Sequence, residues 1–231
     1  MMELVHMTAT YSNAMLVAIL PHISDFSKKL DLPIPQPITA SQVVWFNPSP
    51  YKDFIGGGLV LSNHCWFSYN NGCVQGFRTP DNVFYDQDPA ANWPKYAYGK
   101  DNMTTNDAIE LARESLRKLG FTPEVLGCDA SPQSVTGPYD TKDGHHVPDC
   151  QIRWERYPEP KTAEEQASND VVTVEINMGK KTVIGLSMIS QKLRKTPPKL
   201  GVEPELEKDY KIRTKLGSMF SRTNAPTTVP K

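Results

Sequence analysis

The chain has 231 residues, 39% of them hydrophobic, and a net charge of -1, enough apolar content for ordinary cores in one large domain or two small ones. Its longest apolar run, near Ala14 to Leu20, stops at Pro21 and falls far short of the ~20 residues a spanning helix requires, so no membrane span is expected. Charge is unevenly placed: residues 191–231 hold ten Lys/Arg against four Asp/Glu, and residues 1–190 hold 15 against 22.

From the N-terminus, the opening twenty residues lack the basic stretch and small-residue cleavage site of a signal peptide, although methionines at 1, 2 and 7 leave the true start open. Leu16, Ile19, Leu20, Ile23, Phe26 and Leu30 keep one helical face. Pro21 lies inside that pattern, which either kinks the helix or places the proline in its first turn, and the stable part is expected from about 20 to 30. The breaker DLPIPQP follows. Four strands are then predicted at 41–46, 57–62, 64–69 and 73–79, with turns at Ser62-Asn63 and Asn70-Asn71-Gly72.

Residues 81–99, DNVFYDQDPAANWPKYAYG, set Tyr85, Trp93, Tyr96 and Tyr98 among acidic residues. Such a linker can form an aromatic ligand groove with Trp66, or pack down as a weld between two units. The clearest helix follows: Thr104 with Asp107 fits a capping signature, Ala108, Ile109, Ala112, Leu116 and Leu119 recur at helical spacing, and Gly120 suits the left-handed closing position. A short strand near Phe121 to Leu126 and strands at 150–157, 171–177 and 182–188 complete this part, the last two joined by a turn at Asn177-Met178-Gly179.

The two hairpins FSYNNGCVQGF (67–77) and VEINMGKKTVIGL (174–186) align. Phe67 and Tyr69 match Val174 and Ile176, and VQGF matches VIGL. The second copy has two extra residues after its turn, and an even insertion preserves strand parity. Cys65, Phe67 and Tyr69 should therefore share a core face with Val172, Val174 and Ile176, while Trp66, Ser68, Thr173 and Glu175 face the other way. The reading is α+β: two tandem units, each a helix on an antiparallel sheet, at 1–80 and 103–190, joined by 81–102 and followed by a Pro-rich basic tail at 191–231.

The segment 103–189, with its MTTNDAIELARESLRKLGF helix, CQIRWERY strand and VTVEINMGKKTVIGLSM hairpin, resembles a PepSY domain, and residues 14–79 echo it more weakly. Asn177 stands where that family commonly has Asp, and loops 129–148 and 158–169 are longer than the pattern expects. The resemblance implies a cystatin-like helix-on-sheet fold, a cell-envelope setting and a peptidase-binding or inhibitory role with a peptide or protein partner. It carries no catalytic residues to this chain.

Other residues offer chemistry of their own. The insertion GPYDTKDGHHVPDC gathers Asp140, Asp143, His145, His146 and Asp149, types that hold zinc or calcium, which would suit a metal-dependent hydrolase. The spacing matches neither H-E-x-x-H nor an EF-hand, and a solvated polar loop is the alternative. Ser187 lacks the second glycine of a nucleophile elbow, and Gly56-Gly57-Gly58 lacks a following Lys-Ser/Thr. The cysteines Cys65, Cys73, Cys128 and Cys150 have no C-x-x-C spacing; Cys128 and Cys150 flank the insertion and are the disulfide candidate. The basic tail suits an anionic surface or lies on the acidic body, and without interleaved aromatics it gives no reason to expect nucleic acid. A non-enzymatic binding module is the leading expectation, a Ca- or Zn-dependent hydrolase the alternative. No cofactor is required by the first.

Overall fold

A computed structural model describes residues 4–52, 54–82, 98–141, 143–193 and 198–205. The fold is α+β. Helix α1 spans Ala9–Lys29 and is capped by Thr8, whose Oγ1 accepts a hydrogen bond from Tyr11 N at 3.1 Å. It therefore starts about eleven residues before the expected stable part. Tyr11, Met15, Ile19, Ile23 and Phe26 are buried at spacings of three and four. Burying each contributes about 1.5–3 kcal/mol, and the sum outweighs the ~3 kcal/mol cost of a proline in a helix interior. Pro21 itself is exposed, on the far side from the core.

Strands β1 (Val43–Pro48), β2 (Gly56–Leu61), β3 (Trp66–Asn70) and β4 (Cys73–Arg78) form a meander. Its last turn is the one the sequence requires: Asn71 and Gly72 both take positive φ, 42° and 86°, closing a two-residue hairpin. Helix α2, Thr105–Lys118, opens on a full capping box between Thr104 and Asp107 and closes on Gly120 at φ 86°. The expected strand at 121–126 is instead a turn, with Leu126 N donating to Thr122 O and Gly127 N to Glu124 O. Pro123, which cannot donate to a ladder, stands at its centre.

The long insertion carries structure that the residue pattern did not announce: β5 (Ser134–Thr136), then a small hairpin of β6 (Tyr139–Asp140) and β7 (His146–Val147). Strand β8 (Asp149–Glu155), the short helix α3 (Ala163–Ala167), β9 (Val171–Asn177) and β10 (Thr182–Ile189) follow.

Eight strands form one antiparallel sheet in the order β1-β2-β3-β4-β10-β9-β8-β5. A single apolar rung crosses all of it: Phe46, Leu59, Phe67, Phe77, Leu186, Val174, Ile152 and Val135 are successive cross-strand partners. The six inner members are at most 2% exposed. Both helices lie on this face, α1 over the β1–β4 side and α2 over β8, β9 and β10. Phe26 sends its ring against Phe67 and Phe77, with centroids 6.2 and 5.5 Å away. One core cluster thus includes residues from both halves of the chain.

The start of the C-terminal segment is docked. Leu193 is fully buried, Leu200 packs on the core, and His6 N donates to Glu205 O at 2.6 Å. Residues 206–231, which hold six of the basic tail's ten lysines and arginines, lie outside the described residues. No helix among the described residues is long and apolar enough to cross a membrane.

Candidate functional site

The face of the sheet away from the helices carries the most distinctive surface. One row across it reads Trp45, Val60, Trp66, Arg78, Gly185, Glu175, Gln151 and Thr136. The next row begins Asn47, Gly58, Ser68 and Gly76. Glycines leave a flat floor on which aromatic rings can lie. A Cβ at Gly58 would sit 3.3 Å from Trp45 Cζ3 and 3.5 Å from Trp66 Nε1, and one at Gly76 3.3 Å from Trp66 Cζ3. The Arg78 guanidinium covers the Trp66 ring at 4.7 Å from its centroid, a cation–π contact. Trp45 is 49% exposed, and Trp66 and Arg78 are half-buried. Of these, only Trp66 stood out in the sequence. Trp45 and Arg78 join it through strand register, which residue types alone do not reveal.

Further along that row lies Glu175, buried at 2% exposure. It accepts hydrogen bonds from Gln151 Nε2 at 3.0 Å and from Asn82 Nδ2. Gly185 makes room, because a Cβ there would run into the Glu175 carboxylate and the Asn82 amide. Burial pushes the Glu175 carboxyl above its usual range, while the two amide donors and Arg78 pull it back.

The Asp/His insertion does not assemble as expected. His146 bridges two carboxylates, with Nδ1 2.7 Å from Asp140 Oδ1 and Nε2 3.1 Å from Asp101 Oδ1. These bonds raise its pKa, favouring an imidazolium, which has no lone pair for a metal. Asp143 accepts from Thr141 Oγ1 and stands 3.5 Å from His145 Nε2; the His145 ring stacks on Tyr98 at 4.2 Å. Asp149 lies apart from these, fully buried, its Oδ1 accepting from Asn177 Nδ2 at 2.7 Å. Its Oδ2 is buried with no hydrogen-bond partner among the described residues, and burial pushes the carboxyl up to about 7. Asp140, Asp143, His145, His146 and Asp149 are thus divided among local hydrogen bonds, and no three His, Cys, Asp or Glu side chains among the described residues converge as metal ligands. Asp101, the second partner of His146, was not recognised in the sequence because it sits in a linker without periodicity.

The aromatic groove is not assembled among the described residues either. Tyr85, Trp93 and Tyr96 lie outside the described residues. Tyr98 packs with Tyr139 and Val147 in a satellite cluster at the β6–β7 hairpin, whereas Trp66 lies on β3 with Trp45 and Arg78. Nor do Cys128 and Cys150 pair: all four cysteines are free and buried. The Cys128 thiol donates to the carbonyls of Trp154 and Asp170. Cys150 comes four residues before Trp154 on the same strand, ~13 Å at the rise of a β-strand and well beyond disulfide reach.

The chain matches no protein-family model, no curated protein and no solved structure.

Proposed function

We propose that the chain is a tandem of two PepSY-like helix-on-sheet units and acts as a non-enzymatic module that binds a peptide or a partner protein on its open sheet face. The tandem reading is supported by an internal two-fold in the pairing. Aligning VQGF with VIGL makes Phe77 the counterpart of Leu186, and those two residues are cross-strand partners at the seam between β4 and β10. Gly76 and Arg78 pair with Ser187 and Gly185, as a two-fold through that point requires. Each hairpin also carries a β-bulge at the middle residue of its V-x-G: Gln75 has no partner between the Ser68–Gly76 and Tyr69–Val74 pairs, nor Ile184 between Gly185–Glu175 and Val183–Ile176.

The observation that carries the binding reading is the Trp45–Trp66–Arg78 platform laid over Gly58 and Gly76. Tryptophan and arginine are the residues that most often dominate protein interfaces, and flat rings on a glycine floor accept an extended chain without rearrangement. Selection from a phage-displayed peptide library tests it. A family of related peptides should emerge whose affinity falls about tenfold or more in Trp66→Ala and Arg78→Ala. Failure to enrich any sequence, or equal affinity in Trp66→Ala, would count against this face.

A further inference from the structure

On the opposite, helix-bearing face, where β4 ends and β10 begins, a cavity of about 490 Å³ opens between the C-terminal end of α1 and the side of α2. That volume lies within the ~300–1,000 Å³ range of small-molecule sites. Its walls are largely apolar, with Leu30, Cys65, Leu111 and Val183 among them. Cys65 adds no chemistry, since burial pushes its thiol up to about 11. The charged groups lining the cavity are Lys118, Lys180 and Lys181 against Asp31 and Asp81.

The three lysines are not paired alike. Lys180 is paired with Asp81 at 2.6 Å and Lys118 with Asp31 at 3.3 Å. Lys181 forms no hydrogen bond or ion pair through its side chain among the described residues, and it occupies a left-handed turn position at φ 55°. The carboxylate that acts on it is Asp107, at the start of α2 and outside the cavity lining; an ammonium held in no ion pair at the mouth of an apolar cavity suits an anion whose remainder is hydrophobic.

Under the internal two-fold, the other end of the seam should show why the space exists. There, a cleft of about 80 Å³ lies between His22, Phe26, Gly72, Val74 and Leu119. With the two helices aligned on their closing turns, where Asp31 and Gly120 both take positive φ, Phe26 of α1 corresponds to Ser115 of α2, and each lines its own cleft. Ser115 Oγ turns back to donate to Leu111 O at 2.8 Å and adds no bulk to the cavity. The missing ring leaves the larger space.

We propose that this cavity binds a small carboxylate on an apolar body, with the carboxylate at Lys181 and the body against Leu111 and Val183. Two sources share this chemistry, an aliphatic acid and the C-terminus of a peptide ending in an apolar residue. Calorimetric titration of the full chain with decanoate, decanol, and a Leu-terminated tetrapeptide as free acid or amide separates them. Saturable binding of decanoate or of the free-acid peptide, at least tenfold tighter than its uncharged counterpart, supports the site and names the source. Lys181→Glu, an exposed change, should weaken that binding at least tenfold, and Ser115→Phe, which copies Phe26, should abolish it. Should Ser115→Phe not fold, Lys181→Glu decides. No binding of either acid, equal binding of the uncharged compounds, or undiminished binding in Lys181→Glu overturns the proposal. Trp66→Ala, on the other face, should leave the titration unchanged, so failure here is distinguishable from failure of the open-face reading.

Discussion

The two clefts beside the β4–β10 seam differ in size and in the helix side chain that faces each, Phe26 at one and Ser115 at the other. Phe26 puts an aromatic ring into the core, edge-on to Phe67 and Phe77, and only about 80 Å³ of space remains. Ser115 leaves about 490 Å³ at the other end, edged by lysines. The first arrangement adds dispersion and apolar burial to the fold. The second gives up that stabilisation and keeps room for a guest, so the two ends separate stability from capacity.

The largest effect should therefore come from emptying the filled end. Phe26→Ala is expected to cost about 3–5 kcal/mol, the range for a buried aromatic whose neighbours only partly collapse, read as a fall in the urea midpoint with unchanged slope. A loss below ~1 kcal/mol would mean that Phe26 is not the plug.

A second contrast lies at the start of two strands that the proposed tandem would make counterparts. Gly56 on β2 faces Asn70, and Asp149 on β8 faces Asn177. A Cβ at Gly56 would collide with the Tyr69 carbonyl, so a side chain is admitted in one half only, and there it is a buried acid. With the folded carboxyl of Asp149 pushed up to about 7 and an unfolded value of ~3.9, the folded state holds a proton across that interval that the unfolded chain has released. This contribution is fully present below pH ~4, declines as pH rises, and is gone above about 7. The difference in unfolding free energy between the wild type and Asp149→Asn should follow that curve, with an amplitude on the order of 4 kcal/mol. A flat difference would place the titration elsewhere. His146 also has a raised pKa, so its own stabilising share is likewise present at low pH and lost as pH rises through its folded value; because the sign is the same as for Asp149, the difference between wild type and His146→Asn measures it separately.

The sheet was legible because residue types alternate along β3, β8 and β9 and its turns use the residues their backbones demand. Asn70-Asn71-Gly72 could close only a hairpin, and Phe67 and Val174 reached the core face assigned to them, both fully buried. Helix α2 was legible from its cap. The first half of α1 was obscured by Pro21, since a local propensity argument does not weigh the burial of Met15 and Ile19. β5 has three residues and the β6–β7 hairpin two on each side, too few for a period to register. The candidate site was harder for a different reason. Trp45, Trp66 and Arg78 are brought together by pairing between strands, and the large cavity depends on what Ser115 lacks. Grouping Asp140 through Asp149 by proximity in sequence misled, because each of those side chains with a bonding partner found one within its own hairpin or in the neighbouring strands and linker.

Gly185 and Gly76, counterparts in the V-x-G motifs, sharpen the comparison at smaller scale. Alanine at 185 would displace the Asn82 amide from the Glu175 carboxylate and leave a buried acid short of a donor, at a cost of about 1–3 kcal/mol. Alanine at 76 would press at 3.3 Å on Trp66 Cζ3 and on the Leu186 carbonyl. The half-buried ring has solvent to tilt toward, so a loss of ~1 kcal/mol is expected. Equal losses would mean that the two bulges are packed alike.

The smallest contrast is at the helix starts. Thr104 and Asp107 satisfy each other's backbone: Asp107 N donates to Thr104 Oγ1 at 3.2 Å and Thr104 N to Asp107 Oδ2 at 3.0 Å. Thr8 makes one such bond, to Tyr11 N, and no acidic residue stands in its first turn. Removing the hydroxyl should therefore cost more at α2, about 1–2 kcal/mol for Thr104→Ala against ~0.5–1 for Thr8→Ala. The two variants should also part on acidification. The Thr104 bonds hold the Asp107 carboxyl below its usual range, so its stabilising share exists above the ordinary carboxylate pKa and is lost as pH falls through the lowered value. The excess cost of Thr104→Ala should shrink toward that of Thr8→Ala in acid, and a cost independent of pH would show that Asp107 takes no part in the cap.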